Sequence, residues 1–190
     1  MAAVIGIALA IGAVCLQTFV MTADEKAAPL TVSGGKGEIL ASDHFSARLE
    51  QIEFARSVRV KRTYTTDEVA TDQIFLVVKV GATTPRRPIK LVPYLVTADG
   101  LRFNATDKIN ETATLTDKWI QTGWWRSGLC FFEIPPGKVA GARVVVTEQQ
   151  VNSLYDDQYL PEVSLDLGLD QARAREAMNA AKDVYEASGR

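Results

Sequence analysis

Between residues 38 and 147 apolar and polar positions alternate with a period of two, the pattern of strands that bury one face. Phe45, Ala47 and Leu49 fall in one phase, and Ile52 and Phe54 resume in the other. A bulge near Glu50 and Gln51 accounts for the change, because one inserted residue exchanges the faces of everything that follows. Residues 38–41 fit a short first strand. Residues 57–63 place Val58 and Val60 inward and Arg59, Lys61 and Thr63 outward. Residues 74–80 read Ile-Phe-Leu-Val-Val-Lys-Val, nearly continuous apolar character that predicts a central strand covered on both faces. Residues 89–98 and 101–103 flank Asp99-Gly100, a dipeptide suited to the positive backbone angles of a tight hairpin. Residues 127–134 form a strand that Pro135-Pro136-Gly137 stops, and 142–147 form the last one. Pro85-Arg86-Arg87-Pro88 is a stiff loop, and the threonine-rich stretch 104–117 a longer one. Short strands without interleaved helices predict a mostly β chain folded as a β-sandwich over residues 37–150.

The two ends follow other patterns. Residues 2–23 carry no charge, with Gln17, Thr18 and Thr22 as the polar interruptions. As a helix they would be about 33 Å long, matched to a hydrocarbon layer of about 30 Å. The reading preferred for 1–23 is a retained transmembrane helix, a single membrane span. A cleaved secretory signal and a lipid anchor on Cys15 stay open. Met21 is too large for its place before a cut after Ala23, and Val14 stands where a small residue normally precedes a lipidated cysteine. Lys26 and Lys36 follow the segment and no basic residue precedes it, which by the positive-inside rule favours a cytoplasmic domain. Long folded domains, however, translocate largely regardless of charge. Residues 24–36, with Ala27-Ala28-Pro29 and Ser33-Gly34-Gly35, read as a spacer. In the extension 151–190, residues 169–187 set Ala174, Ala177, Met178, Ala181 and Val184 or Tyr185 on one face of a predicted amphipathic helix. So narrow a face needs a surface to pack on.

Composition narrows the chemistry. Apolar residues are 47% and charged residues 23%, enough for a core. A formal charge of −2 argues against a nucleic-acid binder. The charge is uneven: residues 51–90 hold eight basic against four acidic side chains, and 148–190 hold four against nine. Cys15 and Cys130 sit in segments that no disulfide joins. His44 is the single histidine, with no nucleophile motif to serve and too few partners for zinc. The pairs Asp67-Glu68 and Asp156-Asp157 lack the spacing of a calcium loop, and no glycine-rich phosphate loop opens a helix. No enzymatic activity, cofactor or metal is therefore expected. The suggestive cluster is Trp119, Trp124 and Trp125. Neighbours on a strand face opposite sides, so one of Trp124 and Trp125 is expected in the core and the other outside, beside Arg126. Trp124, Trp125 and Arg126, with Arg86 and Arg87, are the candidate partner contacts. Asn104 and Asn110 begin glycosylation sequons, meaningful only in a eukaryotic secretory pathway.

Three stretches carry a resemblance. Gln73-Ile-Phe-Leu-Val-Val-Lys-Val80 resembles the long central strand of immunoglobulin-like domains in bacterial exported proteins and lipoproteins. Trp125-Arg-Ser-Gly-Leu-Cys-Phe-Phe-Glu-Ile-Pro135 is similar to their segment in which a glycine precedes an apolar strand ending in proline. Ala98-Asp-Gly-Leu-Arg-Phe103 resembles their central hairpin. The relatives are the immunoprotective extracellular antigen type of mycobacteria and anchored sandwich domains of Gram-positive bacteria. The resemblance implies an extracytoplasmic immunoglobulin-like β-sandwich with no common active site, so no functional residue is carried over. Gly81-Ala82-Thr83-Thr84 departs from the asparagine that follows the central strand in these relatives. The functional expectation is a membrane-anchored extracytoplasmic binding or assembly module that engages a protein partner or a second copy of itself. The alternatives are a cell-envelope glycan binder on an exposed tryptophan and an accessory subunit of a membrane complex.

Overall fold

The apolar run at 74–80 lies inside an 18-residue strand, the longest among the described residues. The structure, a computed structural model, describes residues 30–61, 65–109, 114–149 and 160–187. In chain order the elements are β1 (Leu30–Gly34), β2 (Leu40–Ala41), β3 (Ser46–Lys61), β4 (Thr66–Thr83), β5 (Leu91–Val96), β6 (Arg102–Asn104), β7 (Arg126–Ile134), β8 (Arg143–Glu148), β9 (Pro161–Asp166), α1 (Gln171–Asn179) and β10 (Lys182–Ala187). They form two sheets of a β-sandwich, ordered β1-β9-β8-β5-β6 and β10-β3-β4-β7, with β2 paired to the start of β3. The Asp99-Gly100 hairpin forms as expected between β5 and β6, with Gly100 at φ +82°.

β4 is central and loses its alternation because both of its faces are covered. Ile74, Leu76, Val78 and Val80 enter the main core between the sheets. Phe75 and Val77 enter a second, smaller cluster with Val58, Val60, Ile109, Phe131 and Ala187 on the outer face. The register of β3 against β4 shifts between Leu49 and Gln51, where the phase change placed a bulge, and again between Ala55 and Ser57. The second shift turns Val58 and Val60 away from the main core into the outer cluster. Residues 57–61 thus continue β3 and form no separate strand.

The stretch read as spacer and the C-terminal extension depart from expectation. The helix predicted over 169–187 is only nine residues long. Asp170 caps its start, accepting from the Arg173 N–H at 2.8 Å, and it stops at Ala180. The chain then runs as β10, parallel to β3 with Val184 opposite Ser57. The reason is physical: only Ala174 of α1 is buried, whereas Val184 and Tyr185 complete an open strand edge, and Tyr185 meets Phe131 edge-on at 6.1 Å. β1 falls in the stretch read as spacer and pairs parallel with β9. The strands therefore reach beyond residues 37–150 in both directions. Among the described residues no helix is long and apolar enough to cross a membrane; residues 2–23, the expected span, lie outside them.

The registers bring specific strand ends together. Ser46 opposes Thr83 and Ala82 opposes Arg126 in one sheet. Leu91 opposes Glu148, Glu162 opposes Thr147 and Leu30 opposes Pro161 in the other. The Thr84 hydroxyl donates there to the His44 carbonyl at 3.0 Å, joining the ends of β4 and β3, and the two sheets are tied by Glu148. Its carboxylate is 2.7 Å from Arg87 Nη2 and 3.0 Å from His44 Nδ1. At the opposite end the Lys138 ammonium meets Asp99 at 2.6 Å.

Candidate functional site

At the end of the sandwich tied by Glu148, the segment Trp119-Ile-Gln-Thr-Gly-Trp-Trp125 leads into β7. Ile120 takes the core position and exchanges both backbone hydrogen bonds with Ile89, at 3.1 and 2.8 Å. Gly123 turns the chain at φ +73°, and its N–H donates to the Thr84 carbonyl at 2.9 Å. With Ile120 inward, the indoles on either side are outside. Trp124 is 74% exposed, Trp119 50% and Trp125 40%. The expectation that Trp124 or Trp125 enters the core is therefore overturned. Both precede the first residue of β7, so strand alternation does not govern them.

Cations lie over two of these rings. The Arg48 guanidinium stands 4.7 Å from the Trp125 ring centroid and the Lys90 ammonium 5.8 Å from that of Trp119, within reach of the ring quadrupole. Arg48 is held by Glu50, the bulged residue, at 3.0 Å. The carboxylate crosses over Gly81, where a β-carbon would come within 2.5 Å of it. Burial alone would raise the Glu50 pKa, but hydrogen bonds from Ser127 and Arg48 and the charge of Lys79 outweigh it and hold the carboxyl below its usual range. Lys118 donates to the Ser127 carbonyl at 2.7 Å. Burial, then the positive charges of Arg126 and Lys79, lower its pKa.

All five residues expected at the contact lie at this one end. Trp124, Trp125 and Arg126, with Gln121 and Thr122, line a shallow cleft of about 320 Å³. Arg86 and Arg87 project from the neighbouring loop, both exposed. Arg87 is committed to Glu148. Among the described residues neither Arg86 nor Arg126 has a carboxylate partner. Sequence reasoning missed Arg48, Lys90 and Lys118. The register of β3 on β4 and of β4 on β7 brings Arg48 there, and the Ile89–Ile120 bridge brings Lys90; Lys118 stands next to Trp119 in the chain.

No family model matches the chain, and no curated protein matches it by sequence. Three solved structures are similar. A secreted protein from Mycobacterium tuberculosis, MPT63, is 11% identical with a TM-score of 0.49, covering 73% of this chain and 99% of its own. The yjhA protein from Bacillus subtilis is 15% identical with a TM-score of 0.46, covering 70% and 99%. An uncharacterised β-sandwich protein from Clostridium difficile is 13% identical with a TM-score of 0.45, covering 73% and 95%. The likeness is one of fold.

The remaining chemistry-bearing residues are absorbed structurally. His44 serves the Glu148 tie. Glu68 accepts from Ser57 at 2.8 Å and from Arg59 at 2.8 Å. Cys130 is buried, which pushes its thiol pKa up and removes the thiolate that reactivity needs. Tyr94 donates to Glu162 at 2.6 Å beneath the Arg102 guanidinium. Burial, then Glu162, raises its phenol pKa. Asn110, Asp156, Asp157 and Cys15 lie outside the described residues.

Proposed function

We propose that this chain is a membrane-anchored, extracytoplasmic, immunoglobulin-like binding module that acts by contact and performs no chemistry, with the tryptophan end as its working surface. One observation carries this reading: three tryptophans stand exposed at a single end, beside Arg86 and Arg126, which have no carboxylate partner among the described residues. Apolar side chains gathered in one exposed patch mark a protein or membrane contact site, and Trp and Arg are enriched among the residues that carry contact energy. The strand edges and the opposite end offer no comparable cluster among the described residues. A glycan would use a different part of the same surface, a bare ring face such as that of Trp124. The Trp119 and Trp125 rings are already approached by cations.

A photoreactive residue placed at position 124 of the full chain in its native membrane is expected to give adducts. The same residue at position 101, exposed at the opposite end, is expected to give almost none. Equal labelling at the two positions would remove the tryptophan end from its role.

A further inference from the structure

We propose that the partner of the tryptophan end is the anionic bilayer surface itself, on which the domain sits with Trp124, Arg86 and Arg126 among the lipid headgroups. This rests on the contact reading and names its occupant. The argument is topological. β8 ends at Glu148 on the tryptophan end, where Arg87 and His44 grip it. β9 is antiparallel to β8, so Pro161 starts there. β1 is parallel to β9, with Leu30 opposite Pro161. The described chain thus begins at the same end as the exposed tryptophans. Leu30 is itself an exposed apolar residue, 57% open.

Residues 2–23 have the length and apolar character of a membrane span. Only residues 24–29 separate them from Leu30, a reach from Ala23 to Leu30 of at most about 25 Å fully extended. A domain tethered that closely has the end where its chain begins turned toward the membrane. The far end, where β10 finishes at Ala187 beside Val60, is turned away. What faces the membrane has the composition of an interface. Tryptophan is enriched at headgroup depth because its ring is apolar and its N–H polar. Basic side chains near an anionic leaflet are each attracted to it. Arg86 and Arg126 are both exposed and have no carboxylate partner among the described residues, so lipid phosphates would be their counter-charge, whereas Lys79 deeper in β4 is paired with Glu50. A protein partner approaching from the aqueous side would instead meet the far end first.

The test places the full chain in nanodiscs of phosphatidylcholine, with or without phosphatidylglycerol, and with plain or brominated acyl chains. The three tryptophans of the chain are all at this end, so intrinsic fluorescence reports on it alone. Emission is expected to shift to the blue in the anionic discs and to be quenched there by bromine. The variant Arg86→Glu with Arg126→Glu alters two exposed side chains and keeps the anchor. It should weaken the seat by roughly 30-fold or more, returning quenching to the phosphatidylcholine level. Quenching that is absent, or equal in both lipids and indifferent to the arginines, overturns the proposal. If it is absent while a photoreactive residue at 124 captures a protein in native membranes, the bilayer is rejected and the contact reading stands. If neither signal appears, both fall.

Discussion

Truncating Phe131 to alanine and truncating Phe132 to alanine are each expected to cost about 3–5 kcal/mol of folding stability. In a domain of this length such a loss lowers Tm by on the order of 10 °C. The two residues are neighbours on β7 and point to opposite faces of the sheet. Phe132 is fully buried between the sheets, and Phe131 is buried in the outer cluster against Phe75, Val77 and the edge of the Tyr185 ring. A sandwich with one core and one wet face would lose stability from the Phe132 change alone. Thermal or urea unfolding of the two variants decides it. A Phe131→Ala variant within about 0.5 kcal/mol of the parent, the range of an ordinary surface change, would contradict the outer cluster.

Gly128→Ala is expected to cost about 3 kcal/mol, the upper range for forcing extra atoms into a packed site. A β-carbon at residue 128 would stand 2.5 Å from the Leu115 α-carbon and 2.7 Å from its nitrogen. These are backbone atoms, so no rotamer change relieves the overlap. Leu115 N–H donates to the Leu129 carbonyl at 2.9 Å, and its side chain fills the main core. The substitution therefore pushes off the segment that covers β7. Gly137→Ala is the control, since nothing lies within 4 Å of its β-carbon position, and it should leave stability within about 0.5 kcal/mol. Equal effects of the two changes would show that Leu115 does not pass this close to the strand.

The legible parts of the fold were those written in local pattern. The central strand, the bulge at Glu50 and the Asp99-Gly100 hairpin each appear as a change of period or a turn dipeptide within a few residues. The second bulge left no such mark, because Ala55-Arg56-Ser57 carries too little apolar character to show a phase. The parallel pairing of β10 with β3 joins residues far apart in the chain, and nothing in Lys182–Ala187 names its partner strand. β1 was hidden by the glycines beside it. Its Leu-Thr-Val-Ser alternation is real, but Gly34-Gly35 made the whole stretch read as spacer. At the candidate site, the residue types were legible and their exposure was not. Ile120 and Gly123 decide that both indoles face outward, through a loop geometry that strand periodicity cannot express. That Leu30 starts at the same end follows only from two successive registers, β9 on β8 and β1 on β9.

Amide hydrogen exchange on the full chain, compared between its native membrane and detergent, tests most directly the claim that the tryptophan end is the working surface. Exchange reports local opening and occlusion along the backbone. Residues 84–90 and 119–126 should exchange more slowly in the membrane, while residues 97–101 and 136–141 at the opposite end should exchange alike in both. Protection confined to the opposite end, or spread evenly over both, would contradict the account.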